Sequence, residues 1–152
     1  MRFTLLDAVL ERSETRIVTI KQVSLAEEYL QDHFPTFPVL PGVFMLEAMV
    51  QAARELVRTD THPRPVLGQV RALKYGHFVK PGDVLRVEID LVSRTEDGGA
   101  DCKGRAVVLR ADAFSGDGAG SAEALASAPV AASGRLTLRQ PIAGVGSGGV
   151  AR

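Results

Sequence analysis

Cysteine is nearly missing from this chain of 152 residues, with Cys102 the one exception, so no intrachain disulfide can form and no thiolate cluster can hold a metal. An excess of charge is missing too. Eighteen lysines and arginines balance 18 aspartates and glutamates, which argues against a nucleic-acid binder, since that class normally carries a basic surplus. No apolar run approaches the ~18 residues of a membrane span. The opening segment MRFTLLDAVLERSETR reaches charge too quickly to read as a secretory signal. No internal repeat is present. Apolar residues at 45% and charged residues at 24% describe an ordinary globular domain, expected to be cytoplasmic.

Hydrophobic period organises the rest. TRIVTIKQVS (15–24) alternates and is rich in β-branched residues, which predicts a strand. LAEEYLQD predicts a short helical turn, with Ser24 as its cap and Glu27 three residues on. Pro35, Pro38 and Pro41 each remove a backbone donor and extend the residue before them, so 33–41 reads as a stiff connector ending at Gly42. From Gly42 to about Arg58 a helix is predicted, its apolar stripe running Leu46, Met49, Val50, Ala53, Leu56 and Val57. Between Gly42 and Ala53 the only charge is Glu47. Four strands follow, at 66–78, 84–94, 102–114 and 131–139, with Leu85, Val87, Ile89 and Leu91 sharing one face of the second of these. A small, polar stretch at 115–129 reads as a mobile loop, and the glycine-rich 141–152 as a flexible tail beyond a single domain of residues 1–140. Strand, apolar helix, then four strands is an α+β order, packed most economically as an antiparallel sheet wrapped around the helix. A dimer joining two sheets edge to edge would cover one exposed edge in each subunit.

One stretch carries chemistry: HFPTFPVLPGVFMLEAMVQAA, residues 33–53. His33 is suited to act as a base, because an imidazole exchanges protons readily at neutral pH. Gly42 heads the helix, where backbone N–H groups lack partners and the dipole is positive, so it can polarise a carbonyl as an oxyanion hole does. Glu47 lies within an apolar helix, and burial there would favour its protonated, acid form. Gln51, four residues on, shares its face and can orient the carboxyl. His62 in a polar loop and His77 near a turn have no assigned role.

The stretch resembles the signature of the glutamate-type 3-hydroxyacyl-acyl-carrier-protein dehydratases, and FVKPGDVLRVEIDL (78–91) resembles that family's later Pro-Gly-Asp turn and strand. The resemblance implies the hot-dog fold and dehydration of a (3R)-hydroxyacyl group to the trans-2-enoyl product. It implies catalysis by His33 and Glu47 meeting across a homodimer interface, with the Val39 carbonyl holding the other imidazole nitrogen. It further implies no metal or redox cofactor, and a substrate carried on the phosphopantetheine of acyl carrier protein. A trimer of dimers is one form within that family. Because acyl carrier protein is acidic, Arg71, Lys74, Lys80 and Arg86 are the expected docking residues. Thr36 stands where the family commonly has glycine, and a positive φ there would strain a threonine. The competing readings are a hot-dog thioesterase and a non-catalytic acyl- or carrier-binding relative.

Overall fold

The alternating segments become six antiparallel strands around one long helix in a computed structural model, which describes residues 3–110 and 122–141. In chain order they are β1 (Ala8–Arg12), β2 (Arg16–Gln22), a single 3-10 turn (Glu28–Leu30), α1 (Gly42–Val57), β3 (Val66–Tyr75), β4 (Val84–Arg94), β5 (Ala100–Leu109), α2 (Ala122–Ser127) and β6 (Val130–Arg139). Across the sheet the order is β1-β2-β4-β5-β6-β3. β1 and β3 are therefore the edges, and β3 shows solvent along most of its length.

Period-two burial fixes which face each strand turns inward. Leu85, Val87 and Ile89 of β4 are buried, as are Leu136 and Leu138 of β6, while Arg135 and Arg139 on either side of that pair are exposed. Against this inner face α1 lays Met45, Ala48, Met49, Ala52 and Leu56, all buried. Each large side chain removed from water there contributes about 1.5–3 kcal/mol. Gly104 allows the close approach, since a Cβ on it would meet the Met49 sulfur at 3.1 Å. One charge sits on the inner side. Lys21 is held by Glu27 at 2.7 Å and Asp7 at 3.3 Å, tying β2 to the 3-10 turn and the N-terminal segment. Burial opposes its charge, yet the two carboxylates outweigh that cost and hold its pKa above the ordinary lysine value.

Several elements differ from expectation. β1 had no alternation to announce it: Val9 and Leu10 are exposed, so backbone pairing with β2 holds the strand rather than burial. Ser24 does not cap the turn with its side chain; its carbonyl accepts from Glu27 N–H instead. The strand expected at 66–78 ends at Tyr75, and the one expected at 102–114 begins at Ala100 and ends at Leu109. Part of the expected loop at 115–129 is helical, as α2, while residues 115–121 lie outside the described set. So do residues 142–152 of the expected tail. Among the described residues no helix is long and apolar enough to cross a membrane.

Candidate active site

The proline connector works as a rigid strut. Phe37 N–H donates to the Phe34 carbonyl at 2.8 Å, closing a turn just after His33, and Leu40 N–H donates to the Val79 carbonyl at 2.8 Å. The positive φ in this segment falls at Phe34, with φ 52, and not at Thr36. A bulky residue in the left-handed region before a proline is strained, so the tight geometry is imposed beside the histidine itself. The His33 ring stacks at a tilt on Phe34, centroids 4.6 Å apart. Among the described residues it makes no hydrogen bond to the Val39 carbonyl, contrary to the implied arrangement.

His33, Val39, Gly42, Met45, Tyr75 and His77 line one cavity of about 240 Å³. α1 enters it unblunted, for Pro41 supplies no capping side chain and the first turn has no acid. Its first free hydrogen-bonded turn begins only at Phe44 and Met45, which both reach the Pro41 carbonyl. The Gly42 N–H is thus a donor without an intrahelical partner. Glycine lets the Tyr75 ring pack closely here: a Cβ would lie 3.1 Å from two ring atoms, so the ring would have to give way. Partial burial pushes the Tyr75 phenol above its ordinary pKa.

Glu47 lies elsewhere. Its carboxylate lines a second, open cleft of about 520 Å³ with Phe3, Leu6, Gln51, Arg54 and Glu55. Gln51 orients it as expected, donating from Nε2 to Glu47 Oε1 at 3.1 Å. The burial expected for Glu47 is not met within one chain: its side chain is 39% exposed, and Arg54 approaches it at 3.4 Å. From outside α1 the cleft is lined by Phe3, Thr4 and Leu6 of the N-terminal segment, which leave the carboxylate partly open to solvent. Gln51 fastens that segment, accepting from Leu5 N–H at 2.9 Å and donating to the Phe3 carbonyl at 3.0 Å. One chain therefore gathers His33 with Gly42, and Glu47 with Gln51, but in separate clefts.

The basic residues expected to dock a carrier are spread. Arg71 and Lys74 lie on the edge strand β3, Lys80 sits over the Phe37 ring at 4.9 Å, and Arg86 on β4 is paired with Glu88. Sequence reasoning passed over His77, Tyr75 and Arg54. His77 reaches the His33 cavity because its Nδ1–H and its backbone N–H both donate to the Val130 carbonyl, at 3.2 and 3.0 Å. No linear signal marks such a residue, since β6 lies far along the chain. Among the described residues no group of three or more histidine, cysteine, aspartate or glutamate side chains is placed to hold a metal ion.

Comparison with known proteins adds a lineage to this geometry. The family described as ApeI-like, ApeI dehydratase, matches residues 9–103. A curated relative, the 3-hydroxyacyl-[acyl-carrier-protein] dehydratase FabZ of Petrotoga mobilis, is 35% identical over 94 residues, covering 60% of this chain and 68% of the relative. The chain spans 60–68% of the length of the first curated relatives it matches. Among solved structures, the dehydratase heterocomplex ApeI:P from Xenorhabdus doucetiae superposes with TM-score 0.64 at 21% identity, over 92% of this chain and 84% of that one. A hypothetical thioesterase with coenzyme A from Streptococcus pneumoniae gives 0.61 at 11% identity, over 88% and 84%. At such identities the structural likeness establishes the fold, which is the α+β hot-dog.

Proposed function

Since the chain belongs to the ApeI-like dehydratase family, we propose that it eliminates water from a (3R)-3-hydroxyacyl group carried on acyl carrier protein, leaving the trans-2-enoyl thioester. The observation that supports this most is the division of groups between two clefts: an imidazole beside the open N-terminus of α1, and a carboxyl group held by Gln51 on another side of the same helix. Elimination needs both kinds of group on one substrate. His33 takes the C2 proton, and the electrons of that C–H bond form the C2=C3 double bond. The C3–O bond breaks with its electron pair leaving on oxygen, which Glu47 protonates to water. The Gly42 N–H, at the positive end of α1, stabilises the charge that develops on the thioester oxygen. The enzyme needs no cofactor of its own beyond the phosphopantetheine arm that carries the substrate, and it works in the cytoplasm.

Because His33 and Glu47 do not share a cleft within one chain, the working site is completed by a second copy. Of the two open edges, β1 and β3, it is β3 that ends at the His33 cavity, at Tyr75, so pairing is assigned to β3. A homodimer assembled there gives two sites, each with His33 from one subunit and Glu47 from the other.

Mixing two inactive variants tests this directly. His33→Ala and Glu47→Gln should each abolish conversion of a 3-hydroxyacyl carrier protein, read by mass spectrometry as loss of one water. Mixed and re-associated, they should recover about a quarter of wild-type turnover, since half of random dimers are hybrids and each hybrid keeps one intact site. Full activity in either single variant would sink the mechanism. No recovery on mixing would sink the shared site. Release of free acid would mean hydrolysis of the thioester instead.

A further inference from the structure

The outer face of the sheet, turned away from α1, gathers positive charge that the fold leaves uncompensated. Register places Arg71 of β3 directly opposite Arg135 of β6, and Arg135 directly opposite Lys103 of β5, three cations in one row. In the next row Lys74 faces Ser133, and Ser133 faces Arg105. Adjacent strands lie about 4.8 Å apart, so five cations crowd onto three neighbouring strands. Lys74, Lys103, Arg105 and Arg135 have no ion pair among the described residues. The one acid among them, Asp101, is shared between Thr137 at 2.5 Å and Arg71 at 3.5 Å. On β4, Glu88 and Asp90 stand directly opposite Arg105 and Lys103, but both are engaged from the other side, Glu88 by Arg16 and Arg86 and Asp90 by Arg16.

Like charges directly opposite one another destabilise a sheet, so this row works against folding. A second feature of the same patch also works against it. Between Arg71 and Lys74 the register advances three residues on β3 against two on β6, and Ala72, inside that bulge, has φ 51. On a regular strand residues three apart face opposite sides. The bulge turns Lys74 to the side that Arg71 occupies, at the cost of an alanine held in the left-handed region. Repulsion and backbone strain thus converge on presenting these cations together.

We propose that the outer face formed by Arg71, Lys74, Lys103, Arg105 and Arg135 is the docking surface for an acidic protein, the carrier that delivers the acyl thioester. This rests on the dehydratase reading above and names the face on which its partner sits. Charge complementarity selects the partner: an acidic protein meets five cations, and the patch reaches the end of β3, where Tyr75 turns to the His33 cavity on the opposite face of the sheet. Three of the five residues belong to β5 and β6, whereas Lys80 and Arg86, expected from sequence, are occupied by Phe37 and Glu88. Pairing of two β3 edges would set two such patches side by side.

The test is the triple variant Lys103→Gln, Arg105→Gln and Arg135→Gln, with Arg58→Gln as a control away from the patch. Binding of a fluorescent 3-hydroxyacyl carrier protein is read by anisotropy at low and high salt, and turnover is read with carrier-linked and with pantetheine-linked substrate. The triple variant should bind the carrier about tenfold more weakly and lose most of the salt dependence of binding. Its kcat and its turnover of the pantetheine thioester should hold, and its melting temperature should stay the same or rise as repulsion is relieved. Carrier affinity equal to wild type overturns the docking surface, as does an equal loss in the Arg58→Gln control. Should the wild type bind the carrier through this face yet dehydrate neither substrate, the docking surface stands and the dehydratase reading falls alone.

Discussion

Gln51 joins the N-terminal segment, α1 and Glu47 through a single amide, and replacing it separates stability from catalysis. Gln51→Leu keeps the side chain's bulk and removes all three hydrogen bonds, to Leu5 N–H, the Phe3 carbonyl and the Glu47 carboxylate. The Phe3 carbonyl is near solvent and can turn to water, which makes its loss cheap. Leu5 N–H is partly buried behind a side chain only 2% exposed, so stranding it dominates the cost. A stranded buried donor costs about 1–3 kcal/mol, which puts the whole change near ~2 kcal/mol. For a chain of this size that lowers the melting temperature by about 4–8 °C. Gln51→Glu should behave differently. It keeps an acceptor for Leu5 N–H and recovers part of the stability, but it cannot donate to Glu47 and sets a like charge four residues from it on the helix. Turnover should therefore fall further in Gln51→Glu than stability does. Urea unfolding and the water-loss assay, run on both variants, give the two readings. If Gln51→Leu unfolds within about 0.5 kcal/mol of wild type, the amide is not the clasp described above.

Ala72→Gly should stabilise the protein by about 1 kcal/mol, because glycine occupies φ 51 without the Cβ clash that alanine bears. A loss of stability in urea would mean that the bulge is not strained. Cys102 is buried, and burial pushes its thiol up to about 11. The native thiol should then stay protonated at pH 8 and alkylate far more slowly than in urea. With the folded pKa above the unfolded one, the associated stability is whole below about pH 9 and is lost as pH climbs towards 11. Cys102→Ala should flatten that part of the stability profile, and alkylation of the native thiol at the unfolded rate would contradict its burial.

Much of this protein is legible in its sequence, for reasons of local physics. Period two at 84–94 located β4 to the residue, because alternate side chains of a half-buried strand must differ in polarity. The apolar run after Pro41 fixed where α1 begins, and the proline spacing announced a rigid connector before it. The spacing from Glu47 to Gln51 foretold their hydrogen bond, since residues four apart on a helix meet. β1 stayed hidden because an edge strand held by backbone bonds needs no hydrophobic pattern. What linear spacing could not decide is everything set by pairing between distant strands. His77 beside His33, Arg135 between Arg71 and Lys103, and the bulge that turns Lys74 outward all depend on β6 lying between β3 and β5. His33 and Glu47 stand fourteen residues apart in sequence, yet only the folded chain shows that they open into different clefts. A helix presents its sides in fixed order, and the surrounding sheet and N-terminal segment determine which sides a substrate can reach.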